Sequence, residues 1–487
     1  MTRRHPGAGF LRLSGSVRIA AASLRSPRER GRQPAMTDTG TSAPGVSSRA
    51  LNRAPGLVVA APRSGSGKTT VVLGLLRALS RSGLMVQPMK CGPDYIDPGF
   101  HAAASGRTGC NLDGWAMRPA LLDGIVEEAS AASDLIVCEA LMGLFDGVAV
   151  AGATDDGSSA GIAARTGWPV LLVLDISGQS QSAGAVAAGF AAFRRDVHVG
   201  GVILNKVASE RHRMLAEQGV AAAGLTVVGA LPRRADLVLP ERHLGLVQAE
   251  EIGELDIMLD KLADFVAEHC DLEAVCALAR PATAAAASGV GILPPGQRIA
   301  VARDAAFSFL YPHLLSAWRS AGAEIVPFSP LADEGPDLAA DVAWLPGGYP
   351  ELHAGKLAGN AAFLNGLRAF AERRPVHGEC GGFMTLGTSI VDAGGTSHAM
   401  VGLLELETSF AARRMSLGYR RAVLLEDGLL GRKGASLRGH EFHYATIVRA
   451  AGDPLFEGSD GSGAPLGPLG LRSGLVSGSF FHVIDAG

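Results

Sequence analysis

Short apolar runs recur along the first half of the chain, separated by stretches with helical spacing. The runs at residues 57–60, 84–90, 135–140, 170–175, 201–205 and 226–230 predict strands, and residues 183–193 predict a helix. Several runs are apolar at every position, as in parallel strands covered on both faces. Strand alternating with helix predicts a doubly wound α/β domain whose ligands sit at the carboxyl ends of the strands. The alternation restarts at residue 298, with strands predicted at 298–302, 324–328 and 341–345 and a helix at 309–321. Two α/β domains are therefore expected, over residues 51–255 and 298–487. Between them, residues 256–297 run from an amphipathic helix into an Ala-rich stretch and Pro294-Pro295-Gly296, the composition of a linker. Residues 1–50 are rich in Arg, Ser, Gly, Pro and Thr and lack periodicity. They read as a disordered extension, or as an overlong start preceding a true first residue at Met36.

Composition narrows the class. A chain of 487 residues exceeds what one hydrophobic core supports, in keeping with two domains. With 47% hydrophobic and 19% charged residues it is globular. A formal net charge of −3 gives no electrostatic case for nucleic acid. No apolar run reaches the ~20 residues of a membrane-crossing helix. The six cysteines, Cys91, Cys110, Cys138, Cys270, Cys276 and Cys380, are scattered without a CxxC pair. That pattern indicates neither a zinc site nor a disulfide framework and fits a reduced, cytoplasmic setting. A homodimer is compatible with these bounds.

Residues 56–70, GLVVAAPRSGSGKTT, place a glycine-rich turn between the first strand and a helix. In that context backbone N–H groups of Gly65, Ser66 and Gly67 converge on phosphate oxygens, and the helix N-terminus adds positive potential. Lys68 would neutralise the outer phosphates, Thr69 would offer its hydroxyl to Mg²⁺, and Thr70 continues the motif. The strict pattern wants Gly where Pro62 stands. After the second strand, Asp94 and Asp97 stand three apart in a Pro/Gly-rich loop, which suits Mg²⁺, a polar substrate or a solvated turn. Glu139 ends a buried strand opposite the phosphate loop, where a nucleotide enzyme holds its metal. Asn205 ends another strand and either binds a base or starts a loop.

The second candidate site is Gly378-Glu-Cys380-Gly-Gly, a strand that breaks into a helix. This is the pattern of a nucleophile elbow, in which a sharp turn exposes one side chain and aims the next N–H at an oxyanion. A helix N-terminus also favours thiolate. His482 is the leading candidate for the base, with His440 and His443 as competitors.

Eight stretches carry a resemblance: SGSGKTT, KCGPDYIDPGFH, NLDGW at 111–115, EALMGLFDG at 139–147, LPGGYPE, GECGGFM, RGHEFHY and GSFFH. With them the chain resembles the cobyrinic acid and hydrogenobyrinic acid a,c-diamide synthases of cobalamin biosynthesis, over nearly all of residues 57–484. The resemblance implies an N-terminal ATP domain of the dethiobiotin synthetase-like P-loop type. It also implies a C-terminal class I glutamine amidotransferase domain of the cobyric-acid type. Glutamine would be hydrolysed at Cys380, ATP would phosphorylate acetate carboxylates of a corrinoid polycarboxylate, and ammonia would displace phosphate. Related enzymes that make cobyric acid or amidate nickel-sirohydrochlorin are the alternatives within the class. A nucleotide-dependent switch with a degenerate tail is the alternative outside it, and the intact Cys380 and His482 argue against it. The carry-over makes Lys68, Thr69 and Lys90 phosphate groups, and Asp97 and Glu139 metal or phosphoryl-transfer groups. Asp94, Tyr95 and Asp146 become substrate residues, and Gly348 and Gly381 oxyanion donors. Many class I glutaminases carry Glu two residues after the histidine. Here that position is Ile484, and Asp485 and Glu379 are both candidates to assist His482.

Overall fold

The computed structural model describes residues 53–283 and 291–487, apart from residues 238, 240, 243, 244 and 247. The expected N-terminal extension and the Ala-rich part of the expected linker lie outside the described residues.

The first half is built on β1 (Pro55–Ala60), α1 (Lys68–Arg81), β2 (Val86–Cys91), α2 (Asp97–Ser105), β3 (Cys110–Leu112), α3 (Pro119–Ala131) and β4 (Leu135–Glu139). It continues through α4 (Ser159–Thr166), β5 (Val170–Asp175), α5 (Ser182–Phe193), β6 (Val199–Val207), α6 (Glu210–Ala222) and β7 (Val227–Pro232). The strands lie in the order β3-β2-β4-β1-β5-β6-β7 and all pair in parallel. The apolar runs read from the sequence become strands because both faces are covered: Leu57, Val58, Val59 and Ala60 of β1 have no exposed surface. The chain adds β2, β3 and β4 on one side of β1 and then crosses to β5 on the other. The loops after β1, β2 and β4 therefore meet at one sheet edge, where a crevice forms.

Part of the segment expected to link the halves belongs to this sheet's surroundings. Helix α7 (Leu255–His269) buries Leu259, Leu262 and Val266 in the same apolar cluster as α1, and Arg280–Pro281 pairs antiparallel with β1.

The second half has a six-stranded sheet in the order Glu324–Phe328, Arg298–Ala302, Val342–Leu345, Val376–Glu379, Val476–Ser479, Leu471–Ser473. The first five strands are parallel and the last pair is antiparallel. An antiparallel sheet flanks it and ends in Ser436–His443 paired with Phe481–Ala486. The helix expected from residue 309 starts at Pro312 instead. Tyr311 is extended because the proline ring bars the α region to the residue before it. Phe309 and Tyr311 are thereby freed to face the other half.

The halves meet over a polar and aromatic seam. Tyr311 donates its hydroxyl to the carbonyl of Pro93 at 3.0 Å, and Tyr419 donates to Asp113 Oδ2 at 3.0 Å while stacking on Trp115. Arg118 grips Asp485 with its side chain at 2.7 and 2.9 Å and its backbone N–H at 2.8 Å. Asp485 is wholly buried. Removing the arginine leaves a buried carboxylate without its cation, so Arg118→Ala should destabilise the protein by about 2–3 kcal/mol. Thermal unfolding should show a lower midpoint, partly restored by Arg118→Lys; an unchanged midpoint would show that this pair does not hold the seam.

Candidate active sites

At the first site, α1 begins without a side-chain cap. Its N-cap is Gly67 in the left-handed region (φ 85°), where a side chain would also strike the Asn205 amide. First-turn N–H groups left uncapped at a helix start are anion donors. Asn205 braces this turn by donating to the Ser66 carbonyl at 2.8 Å, and Lys206 reaches the Gly65 carbonyl at 3.2 Å. Ser66 is buried and Thr70 half-buried on α1.

Beneath the loop lies a compact charged cluster. Lys90 is wholly inside, with its ammonium 2.5 Å from Asp97 Oδ2 and 3.2 Å from Glu139 Oε1. Thr69 donates its hydroxyl to Glu139 Oε1 at 2.6 Å, and Lys68 lies 3.9 Å from the same oxygen. His101 meets Glu139 Oε2 at 2.7 Å. Burial works against the Glu139 charge, but Lys90 and His101 outweigh it and hold its carboxyl well below the ordinary range. Burial and the neighbouring Asp94 push Asp97 up to about 6 against the pull of Lys90. Burial, with help from the Lys90 charge, lowers Lys68 against the pull of Glu139, whereas the carboxylates hold Lys90 above its usual value despite burial.

Lys68, Thr69, Lys90, Asp97 and Glu139 thus come together as the sequence suggested, though Asp97 faces Lys90 rather than Thr69. Asp94 turns inward as a cap: Oδ1 accepts the N–H groups of Ile96 and Asp97 at 2.7 and 3.1 Å. Asn111, from the NLDGW run, pins the loop through the carbonyls of Gly92 and Asp94. Asp146 is exposed and accepts the Gly143 N–H at 2.8 Å, in a loop tied to the phosphate turn by Leu144 N–H to Ala61 O at 2.9 Å. His101 was missed in the sequence, although its place four residues after Asp97 on α2 puts both on one helix face.

Hard oxygens from Thr69 and Glu139 lie side by side next to the phosphate turn, a donor set that fits Mg²⁺. Among the described residues no group of three His, Cys, Asp or Glu side chains is placed to hold a metal ion. Mg²⁺ at nucleotide sites is commonly bound by one or two protein ligands and completed by phosphates and water.

At the second site Cys380 follows strand Val376–Glu379 with φ 46° and ψ −100°, a left-handed backbone that is strained for a residue with a side chain. Such strain at a strand-to-helix turn is the expected elbow. A Cβ at Gly347 would come within 3.2 Å of His482 Nε2 and 3.3 Å of Cys380 Cβ, so both side chains border one spot. Gly348 and Gly381 adjoin it: a Cβ on Gly381 would lie 3.0 Å from the Gly348 nitrogen. Burial raises the Cys380 thiol and lowers the His482 imidazole to about 3, so both are neutral at rest. His443 is a satisfied core residue, meeting Glu441 at 2.9 Å and the Ala445 carbonyl at 3.1 Å and stacking on Phe480. His440 pairs across the ladder from His482. Of the two candidate acids, Asp485 is held by Arg118, while Glu379 Oε2 lies 3.8 Å from His482 Nδ1.

The two sites share a wall. Tyr95, expected on the substrate side, stacks on Phe309 at 5.3 Å and lies 4.6 Å from both the Tyr311 and His482 rings, centroid to centroid. One residue of the acidic loop therefore touches His482, the candidate base.

Family models match both halves. A CobQ/CobB/MinD/ParA nucleotide binding domain covers residues 57–247, and a CobB/CobQ-like glutamine amidotransferase domain covers residues 298–486. The hydrogenobyrinate a,c-diamide synthase of Mesorhizobium japonicum is 56% identical over 431 residues, 88% of this chain and 98% of that protein. The enzymes of the same name from Rhodobacter capsulatus and Agrobacterium fabrum are 57% and 55% identical, again over 88% of this chain and covering 98% and 99% of those proteins. The chain belongs to the hydrogenobyrinate a,c-diamide synthase family. As a member of that family it is an amidotransferase-type ligase, with a nucleotide-binding half and a glutamine amidotransferase half.

Lys90 generates a test. In Lys90→Met the buried Asp97 and Glu139 lose their shared cation, and breaking a buried pair costs about 3–5 kcal/mol. With Lys90 present, folding favours ionised Glu139, so that part of the stability is kept above the ordinary carboxylate range and lost as pH falls. The deficit of the variant should therefore hold from neutral pH down to the ordinary carboxylate range and shrink as pH falls below about 4, read from unfolding midpoints across pH. A deficit independent of pH would contradict the charge assignment.

Proposed function

We propose that this chain amidates the a and c acetate carboxylates of hydrogenobyrinic or cobyrinic acid, using ATP and glutamine, through acyl phosphates. The observation that carries the reading is the shared wall: Tyr95 of the acidic loop lies against His482, so nitrogen released at Cys380 emerges beside the loop that handles the carboxylate. The relatives' being hydrogenobyrinate a,c-diamide synthases supports the corrinoid substrate.

In the nucleotide half, N–H groups of residues 65–70 and the Lys68 ammonium hold the phosphates. Mg²⁺ held by Thr69 and Glu139 would draw off the charge that spreads over the transferred phosphoryl group. Lys90 cancels Asp97 and Glu139 locally, which lets a polycarboxylate approach an otherwise acidic loop. Asp94 fixes the loop's shape, and Asp146 stands at the exposed rim beside the phosphate turn. In the glutaminase half, Cys380 attacks the glutamine carboxamide to form a thioester, and its proton passes to His482 and on to the departing ammonia. N–H groups of Gly348 and Gly381 stabilise the oxyanion. Ammonia then displaces phosphate from the activated acetate.

The test uses hydrogenobyrinic and cobyrinic acid in parallel, with ATP, Mg²⁺ and either glutamine or ammonium, and reads products by mass. Cys380→Ala should lose glutamine-dependent diamide formation by about 1,000-fold or more while keeping most ammonium-dependent synthesis. Equal loss with both donors would overturn this division of labour, and absence of diamide from either corrinoid would overturn the substrate.

A further inference from the structure

Position 484, two residues beyond the glutaminase histidine, holds Ile484, whose side chain lies wholly in the core. The backbone shows why no acid can serve from that point. Strand Phe481–Ala486 pairs Val483 with Gly439 and Asp485 with Arg438, so Ile484 is the extra residue of a β-bulge. The backbone groups freed by the bulge are taken up by side chains. Val483 N–H donates to Glu379 Oε1 at 3.0 Å, and His313 Nε2 lies 2.8 Å from the Ile484 carbonyl. Beyond the bulge, Asp485 goes to Arg118. Glu441, whose charge also reaches His482, is held by Arg420 and His443, which leaves Glu379, among the described residues, as the acid free to face the base. It directly precedes the nucleophile, is 1% exposed, and brings Oε2 to 3.8 Å from His482 Nδ1. Neither ring nitrogen of His482 has a hydrogen-bond partner.

We propose that Glu379 positions His482 for glutamine hydrolysis, in place of the acid missing from position 484; this rests on the glutaminase reading above. When the Cys380 thiol proton passes to Nε2, the products are a thiolate and an imidazolium. The Nδ1–H of that imidazolium faces Glu379, and a closure of about 1 Å makes a charge-assisted hydrogen bond. A bulge that removes one acid thus presents another from a strand of the six-stranded sheet, and it does so by tying that acid's second oxygen to its own backbone. Among the described residues, the titratable groups whose contacts or charges reach the carboxyl are Cys380, His482, Tyr95 and Tyr311. No cation stands among them at rest, and burial pushes the Glu379 carboxyl up to about 8. The ionised form, the one that supports an imidazolium, gains population as pH rises through that value.

Glu379→Gln separates this role from a structural one. The Gln carbonyl still accepts the Val483 N–H, so a residue that merely caps the bulge would be replaced without loss. The Gln N–H₂ would face Nδ1 and hold the tautomer with hydrogen on Nε2, which cannot take the thiol proton. Glutamine hydrolysis should fall about 100-fold or more, and the rise in rate expected of the wild type as pH passes about 8 should be absent. Ammonium-dependent synthesis should persist, and Glu379→Asp should recover part of the hydrolysis and its pH dependence. Hydrolysis at the wild-type rate with an unchanged pH profile would overturn the proposal. So would equal loss of glutamine- and ammonium-dependent synthesis. Cys380→Ala measured alongside distinguishes the two levels. Hydrolysis surviving there refutes the glutaminase reading itself. Hydrolysis lost there but kept in Glu379→Gln refutes only the role of Glu379.

Discussion

A wholly buried ammonium cannot stand alone, and Lys90 is 2% exposed. Its need for counter-charge brings Asp97 and Glu139 together from two separate stretches of chain. Asp97 opens α2, so its attachment to Lys90 fixes where that helix starts. The start of α2 in turn fixes the loop before it, which Asp94 caps and Asn111 pins. That loop carries Tyr95 across to the glutaminase half. One buried charge at the end of β2 thus determines both the phosphate-side geometry and the contact between the two sites.

The contact lies in a seam built largely from residues next to functional motifs. Tyr311 holds the carbonyl of Pro93, Tyr419 holds Asp113 of the NLDGW run, and Arg118 holds Asp485 three residues beyond His482. A seam made this way cannot slide without disturbing the acidic loop or the bulge beside His482. The arrangement suits a ligase whose nitrogen is made in one half and used in the other.

Much of this was legible in the sequence, for physical reasons. Strands covered on both faces are apolar throughout, so the sheet of the first half could be read directly from its runs. The glycine at the phosphate turn is required by the positive φ of Gly67, and those at the elbow by close approach, since a Cβ on Gly382 would strike the Leu345 carbonyl oxygen. What could not be read were contacts between distant stretches. Nothing local says that Tyr95 meets His482, that Asp97 prefers Lys90, or that Asp485 is claimed by Arg118 and lost to the glutaminase. The bulge at Ile484 is a matter of register between two strands, and register has no signature in one strand alone. The helix expected over residues 309–321 is present but starts three residues later, at Pro312, whose effect on Tyr311 was readable.

The central proposal is that nitrogen passes from Cys380 to the activated carboxylate past the wall formed by Tyr95. Synthesis with amide-labelled nitrogen-15 glutamine in a large excess of unlabelled ammonium tests it most directly. Diamide that keeps the glutamine label, despite the excess, is the expected result. Diamide whose nitrogen matches the bulk ammonium pool would contradict it.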